Sequence, residues 1–192
     1  MTAQGRALLL DRAIAYLTEY GVGDRSLRQL AEALGTSHRM LIYHFGSKEG
    51  FLVAIVHEVE ERQRQALAEL NADADGEAGG ASLAVLMDRF WRRLADPSLW
   101  PHERLFFELY GRALSGQPAF TSFLDGIVTS WLEPATDLAR AHGVPAAEAR
   151  AHARLGLAVT RGLLLDLLAT GDRTGVDEAM AVFVASYAGR DA

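Results

Sequence analysis

The chain has 192 residues, 49% of them hydrophobic, and a formal net charge of −6; that is ample apolar material for a buried core and too much for a disordered chain. It contains no cysteine, which excludes disulfides, thiolate catalysis and cysteine-based zinc sites. No basic stretch followed by an apolar run opens the sequence, and the longest apolar run, around 162–169, is interrupted by Asp166 and falls short of the roughly 20 residues of a membrane span, so a soluble, cytoplasmic protein is expected.

Apolar residues recur at spacings of three and four, so the fold expected is all-α. A first helix is predicted over about 4–20, with Leu9, Ala13, Ile14 and Leu17 on one stripe and Gly21 and Gly23 stopping it. Ser26 caps a short helix, 27–34, with Gln29 as its capping-box partner, and Gly35 ends it. Ser37 caps the next, which runs to Phe45 and closes at Gly46. A long helix follows from Ser47 to about Leu70. Residues 71–82, NADADGEAGGAS, are small, acidic and flexible and read as an exposed loop. Further helices are predicted at 83–95, 101–115, 119–142, 145–170 and 176–188, with a turn at 96–101. Pro101 and Pro145 suit a first helical turn, where no amide hydrogen is required. About nine helices result. They divide into a helix-turn-helix domain at 1–46 and a helical bundle at 47–192, linked by the 47–70 helix.

Charge is unevenly placed. Residues 1–50 hold six Lys/Arg and five acids, a balance of +1, and residues 51–192 hold thirteen and twenty, a balance of −7. Phosphate binding requires a local basic surface rather than a basic chain, so the asymmetry permits DNA binding without arguing for it.

The argument comes from 26–48, SLRQLAEALGTSHRMLIYHFGSK. Two short helices flank a turn containing Gly35, with small Ala31 four residues earlier where the helices cross. Leu30, Leu34 and Leu41 lock them together. This is helix-turn-helix spacing, in which the second helix enters the major groove. At about 100° per residue, Leu41 and Phe45 face inward. The opposite face centres on Arg39 and Tyr43, with Thr36 behind and Met40 and Ile42 at its edges. Arg39 can donate two hydrogen bonds to guanine O6 and N7, and Ile42 and Met40 can meet a thymine methyl. Tyr43 and His44 can donate to phosphate. Ser26, Ser37 and Lys48 stand at helix starts, where free amides favour phosphate. Arg28 and His38, the latter toward the inward flank, complete the candidate DNA-binding set.

The same stretch resembles the N-terminal signature of the TetR family of regulators, T-x-R-x-I-A-x-x-A-G-V-S-x-G-x-L-Y-x-H-F followed by x-S-K-E. The matching positions are Ser26, Arg28, Ala31, Gly35, Ser37, Leu41, His44, Phe45, Ser47, Lys48 and Glu49, and the resemblance covers about residues 5–55. It implies phosphate contacts from Ser26, Tyr43, His44 and Lys48 and base contacts from the exposed part of 37–42. Two departures stand out: Arg39 replaces the family's usual glycine, and Ile42 its usual tyrosine, so the family's contact at position 42 does not carry over.

The resemblance further implies a repressor that binds a palindromic double-stranded operator as a homodimer and is released by a small apolar or amphipathic effector, with no cofactor and no metal. Recognition helices of such dimers stand roughly 34–36 Å apart. Candidate dimer-interface residues are Leu155, Val159, Leu163 and Leu167 on one helix and Met180, Phe183, Val184 and Tyr187 on the next. A ligand pocket is expected among the aromatic-rich middle helices, from Phe90, Trp91, Trp100, Phe106, Phe107, Tyr110, Phe123 and Trp131, with His102 and Arg161 as polar partners. The rival readings are a helical enzyme, for which His57/Glu61 and Glu148/His152 are spaced to hold a metal, and an adaptor that does not bind DNA. The chain lacks HExxH, GxSxG and a phosphate-cradling glycine loop, and the regulator is favoured.

Overall fold

The computed structural model describes residues 3–21, 23–76 and 81–187, with residues 3, 4 and 74–76 described by their backbone only. These form nine α-helices and no strand: α1 (Ala3–Tyr20), α2 (Leu27–Ala33), α3 (His38–Phe45), α4 (Lys48–Gly76), α5 (Leu83–Leu94), α6 (Trp100–Leu114), α7 (Thr129–Ala141), α8 (Ala146–Thr170) and α9 (Arg173–Ala185). Two short 3-10 segments, Pro97–Leu99 and Pro118–Leu124, lie before α6 and α7. The expected α-fold with a helix-turn-helix near its start is observed. By packing, the chain divides into two compact units, Met1–Arg62 with Ser98–Asp125, and Gln63–Pro97 with Gly126–Ala192.

In the first unit α1 contributes Leu10, Ala13 and Leu17 from one face, the three- and four-residue spacing that points side chains the same way. Ala13 and Leu17 meet Leu30, Leu34, Phe51 and Leu52 around one apolar centre. Leu41, the inward residue of α3, is fully buried, a contribution of about 1.5–3 kcal/mol for a side chain of its size. The turn between α2 and α3 is closed by Gly35 N–H to Glu32 C=O and Thr36 N–H to Ala31 C=O, 3.1 and 2.9 Å. Gly35 sits there at φ +64°, a conformation that costs a residue with a Cβ.

Two boundaries differ from the sequence expectation. The first is α4, which runs six residues past Leu70 to Gly76. The stretch is acidic but contains helix-forming alanines and no glycine or proline before Gly76, so nothing breaks the hydrogen-bond ladder until there. The rest of the expected loop at 77–80 lies outside the described residues, as does residue 188; the last helix, expected over 176–188, lies slightly earlier, at Arg173–Ala185, and a turn follows at 186–187. The second is the helix expected over 119–142. Its first part is the 3-10 segment, in which Phe120 and Phe123, three residues apart, are both buried, the spacing at which 3-10 side chains eclipse. Gly126, at φ +77°, then turns the chain before α7.

In the second unit α8 packs on α7 and α9, and α9 on α5. Trp91 Nε1 donates to Asp177 at 2.7 Å, and Arg173 donates to the same carboxylate at 2.7 Å and to the Ala95 carbonyl at 2.9 Å. These bonds fix the register of α9 on α5. Leu83, Ala139, Val144, Ala149 and Tyr187 close the core at one end.

Candidate nucleic-acid interface

The recognition helix begins at Ser37, whose Oγ accepts the Met40 N–H at 3.2 Å, and ends at Gly46, whose N–H donates to the Ile42 carbonyl at 2.9 Å. Leu41 anchors it from within, so the residues on the other side are delivered to solvent. Arg39 is exposed, Tyr43 is 69% and Ile42 40% accessible, and Met40 is half-buried. His38, expected toward the inward flank, is exposed as well. Arg28 is exposed; Thr36 and Lys48 are half-buried. Among the described residues, none of Arg28, Arg39 and Lys48 is paired with a carboxylate. Their charge is therefore not neutralised by any described residue, as a phosphate- or base-binding cation requires.

The two capping serines differ. Ser26 accepts the Gln29 N–H at 3.3 Å and donates its hydroxyl to Gln29 Oε1 at 3.0 Å, while its own N–H donates to the same oxygen at 2.8 Å. Its donor is thus consumed within the capping box. The Ser37 hydroxyl makes only the capping bond it accepts, leaving its hydrogen for a phosphate. His44 is half-buried against the Tyr43 and Phe45 rings, at 5.0 and 6.0 Å, and its Nε2 is enclosed without a partner. Any contact from His44 to DNA therefore runs through Nδ1.

Sequence reasoning passed over Gly50, on the first turn of α4. A Cβ there would lie closer than 3.0 Å to the Phe45 carbonyl oxygen, so α3 and α4 meet at a corner that only glycine permits. The Ser47 Oγ accepts the Gly50 N–H at 3.0 Å and caps α4 there. The signal was present in the sequence as a glycine inside an otherwise regular helix.

The expected pocket residues fall into both units. In the first, Phe106 stacks on Tyr110 at 5.6 Å, and Phe123 packs edge-on to both, at 5.8 and 6.3 Å. Phe107 stands against Phe106 at 5.2 Å, and Trp100 lies under Arg104 at 5.7 Å. His102 is buried; its Nε2 lies 3.2 Å from both the Ile14 carbonyl and Thr18 Oγ1. Thr18 donates to that same carbonyl at 2.9 Å, so a proton on His102 Nε2 satisfies the group and leaves Nδ1, which is buried without a partner, unprotonated. Burial, opposed by the Ile14 hydrogen bond and aided by the Arg62 charge, lowers this imidazole below its ordinary pKa. His102 thus ties α6 to α1. In the second unit Phe90 packs on Trp131 at 5.9 Å, Trp91 is committed to Asp177, and Arg161 donates to the Ile127 carbonyl at 2.8 Å.

Of the interface candidates, Leu155 is 49% accessible, and Val159, Leu163, Phe183 and Val184 are half-buried. Leu167, Met180 and Tyr187 are corrected: all three are buried in their own unit, since α8 and α9 turn those positions onto each other and their neighbours. The most accessible large apolar side chains of the two helices are instead Leu155, Leu165 and Val182. Of the residues spaced to hold a metal, His57 packs on the Phe123 ring at 5.8 Å, and His152 bonds Tyr187 Oη at 2.8 Å through Nδ1 and lies 3.5 Å from Glu148. No group of three or more candidate ligands occurs among the described residues, and no helix among them is long and apolar enough to cross a membrane.

A capped helix-turn-helix that presents Arg39 on its second helix, without a carboxylate partner among the described residues, is the architecture of the DNA-binding class of regulators. Residues 9–55 match the family model for bacterial regulatory proteins of the tetR family. No curated protein matches the chain significantly. Among solved structures, a TetR transcriptional regulator from Legionella pneumophila has a TM-score of 0.70 at 17% identity, covering 96% of this chain and 97% of that one. GusR from Salmonella enterica gives 0.64 at 21%, covering 97% of each. The multidrug binding protein EbrR, crystallised with imidazole, gives 0.68 at 21%, covering 97% of this chain and 90% of its own. At such identities the likeness is one of fold. Residues 9–55 thus carry the segment that the tetR-family model describes, and the chain as a whole shares the fold of these regulators.

Proposed function

We propose that the protein is a homodimeric repressor that binds a palindromic operator and is released by a small apolar or amphipathic effector. Residues 1–46 read the DNA; residues 47–192 dimerise and sense the effector, with α4 joining the two tasks. The observation that carries the reading is the outer face of α3, where Arg39, Ile42 and Tyr43 are exposed and Arg39 has no acidic partner among the described residues. A single helix of this length covers one half-site; a second copy is needed for a palindrome. The apolar, exposed side of α8, with Leu155 and Leu165, is the surface through which that copy is held. A small effector is supported by the aromatic clusters of both units and by the fold shared with a multidrug binding protein.

Leu165→Glu tests the arrangement. The position is half exposed, so the subunit folds, while a carboxylate on the dimer face is left without a partner. Light scattering is expected to show a dimer for the wild type and a monomer for the variant, with operator affinity lost in parallel. A monomeric wild type that binds DNA as tightly as the variant refutes the dimer. Operator affinity that no apolar or amphipathic compound lowers, across a panel shown to bind the protein by calorimetry, refutes the release mechanism.

A further inference from the structure

The start of α1 lies beside the end of the recognition helix. Arg6, on the second turn of that helix, is exposed, and its guanidinium carbon stands 5.2 Å from the centroid of the Phe45 ring. Phe45 is the last residue of α3 and is itself seated on Phe51 of α4 at 4.9 Å. A residue 39 positions earlier in the chain is thus pinned to the terminus of the recognition helix, close in sequence to His44 on one side and Lys48 on the other.

Among the described residues Arg6 has no acidic partner, unlike Arg62, held by Asp11 and Glu58, or Arg112, held by Glu108 at 2.6 Å. Arg6 is held on a ring face, with no bond to a carboxylate or carbonyl among the described residues. A guanidinium that meets a ring through its flat face keeps its in-plane N–H edge open. The edge is a planar fork that matches two oxygens of a phosphate. The ring also removes much of the rotamer freedom that a surface arginine would otherwise lose on binding.

We propose that Arg6 donates to a DNA backbone phosphate beside the C-terminal end of the recognition helix, so that α1 sets the depth and tilt of α3 in the groove without reading a base. The proposal rests on the DNA-binding reading above. Arg39, on the outer face, reads sequence, whereas Arg6, at the end, fixes position.

The test uses the full chain and a duplex selected by the wild-type protein from a randomised pool, with an unrelated duplex beside it. Arg6→Met keeps an unbranched stem on Phe45 and removes the charge; Arg6→Lys restores the charge without the fork. Binding is measured by fluorescence anisotropy over a series of salt concentrations. For Arg6→Met the slope of log K against log salt is expected to fall by about 0.9, the value for one phosphate. The loss is expected to be equal on both duplexes, with unchanged base preference and melting temperature. Arg6→Lys is expected to keep the wild-type slope. An unchanged slope in Arg6→Met overturns the proposal, as does an affinity loss that tracks a lowered melting temperature, which assigns Arg6 to packing on Phe45. A wild type that selects no duplex overturns the DNA-binding reading itself, and this one with it.

Discussion

Gly50→Ala adds one methyl group at the corner where α3 turns into α4. Its Cβ would lie under 3.0 Å from the Phe45 carbonyl oxygen, 3.4 Å from the carbonyl carbon and 3.6 Å from Ser47 Oγ. The first contact is with backbone, so no rotamer change relieves it; the last turn of α3 must move from α4 by roughly an ångström, in an interior packed too densely to absorb the shift. Overpacking of this kind costs about 1–3 kcal/mol, and each kcal/mol lowers the melting temperature of a chain this size by about 2–4 °C, so a loss of about 2–12 °C is expected. The functional loss is expected to be larger than stability alone dictates, because the displaced turn carries Tyr43 and His44. Losing one charge-assisted hydrogen bond, about 1.5–3 kcal/mol, weakens binding roughly 10- to 150-fold. Gly111→Ala is the matched control. It lies in α6 with nothing within 4 Å of its would-be Cβ, and alanine there is expected to stabilise by about 0.5–1 kcal/mol. Scanning fluorimetry and anisotropy on the same preparations check both. A Gly50→Ala protein with wild-type melting and affinity, or one stabilised like the control, refutes the reasoning.

Arg39→Ala is expected to leave the melting temperature unchanged, since the side chain is exposed and unpaired, and to cost about 1–3 kcal/mol at a single base pair of the operator; binding to single-base operator variants checks this, and equal losses on all of them would show that it reads no base. Ser26→Ala removes the two side-chain bonds of the capping box and keeps its backbone one, and Ser37→Ala removes a cap with one bond plus a free hydroxyl. Both are expected to lose about 1 kcal/mol of stability, but only Ser37→Ala loses operator affinity beyond that, as unfolding and anisotropy on the pair will report. His102 supplies a pH dependence. Its folded pKa lies below the ordinary 6.5, so on acidification the unfolded chain takes up a proton before the folded one does. Stability is therefore full above 6.5 and is lost as pH falls through the folded value. Melting temperature is expected to drop between about pH 7 and pH 5 more steeply in the wild type than in His102→Gln; parallel curves would remove His102 from the account.

Most of the first unit was legible because its elements are punctuated locally. Ser26 with Gln29, Ser37, Gly35 and Gly46 mark the ends of α2 and α3 where the structure places them, since capping side chains and a left-handed glycine act within a few residues of themselves. The errors fall where a local cue was outweighed. The acidic, small residues after Leu70 look like a loop, but composition alone does not end a helix whose next breaker is Gly76. Gly126 was read through because the apolar residues around it keep a three-residue spacing, which a 3-10 segment satisfies as readily as an α-helix. His102 was assigned to a pocket on polarity; only the fold reveals that the Ile14 carbonyl and Thr18 stand beside it.

The face of α8 is a different kind of failure, because its sequence carries no phase. Ala149, Ala153, Leu164 and Leu167 are buried on one side, while Leu155, Ala158, Gly162 and Leu165 are accessible on another. Both sets are apolar and spaced by three and four, so a helical wheel cannot say which one the subunit keeps for itself. An amphipathic helix has one correct answer; a helix apolar on two sides has two, and the second is stable only if something covers it. Leu155 and Leu167 were assigned to one face for this reason alone, and the structure leaves the first accessible and buries the second. The same ambiguity is what argues for a partner. A helix serving only its own unit would have been free to carry charge at 155, 158, 162 and 165, as it does at the neighbouring exposed positions Arg150, Arg154 and Asp166. Small residues at 158 and 162 leave room for the backbone of another helix, and the leucines on either side supply apolar area at its edges. In the dimer proposed above, a second copy of α8 crossing where the small residues lie would cover all four positions at once.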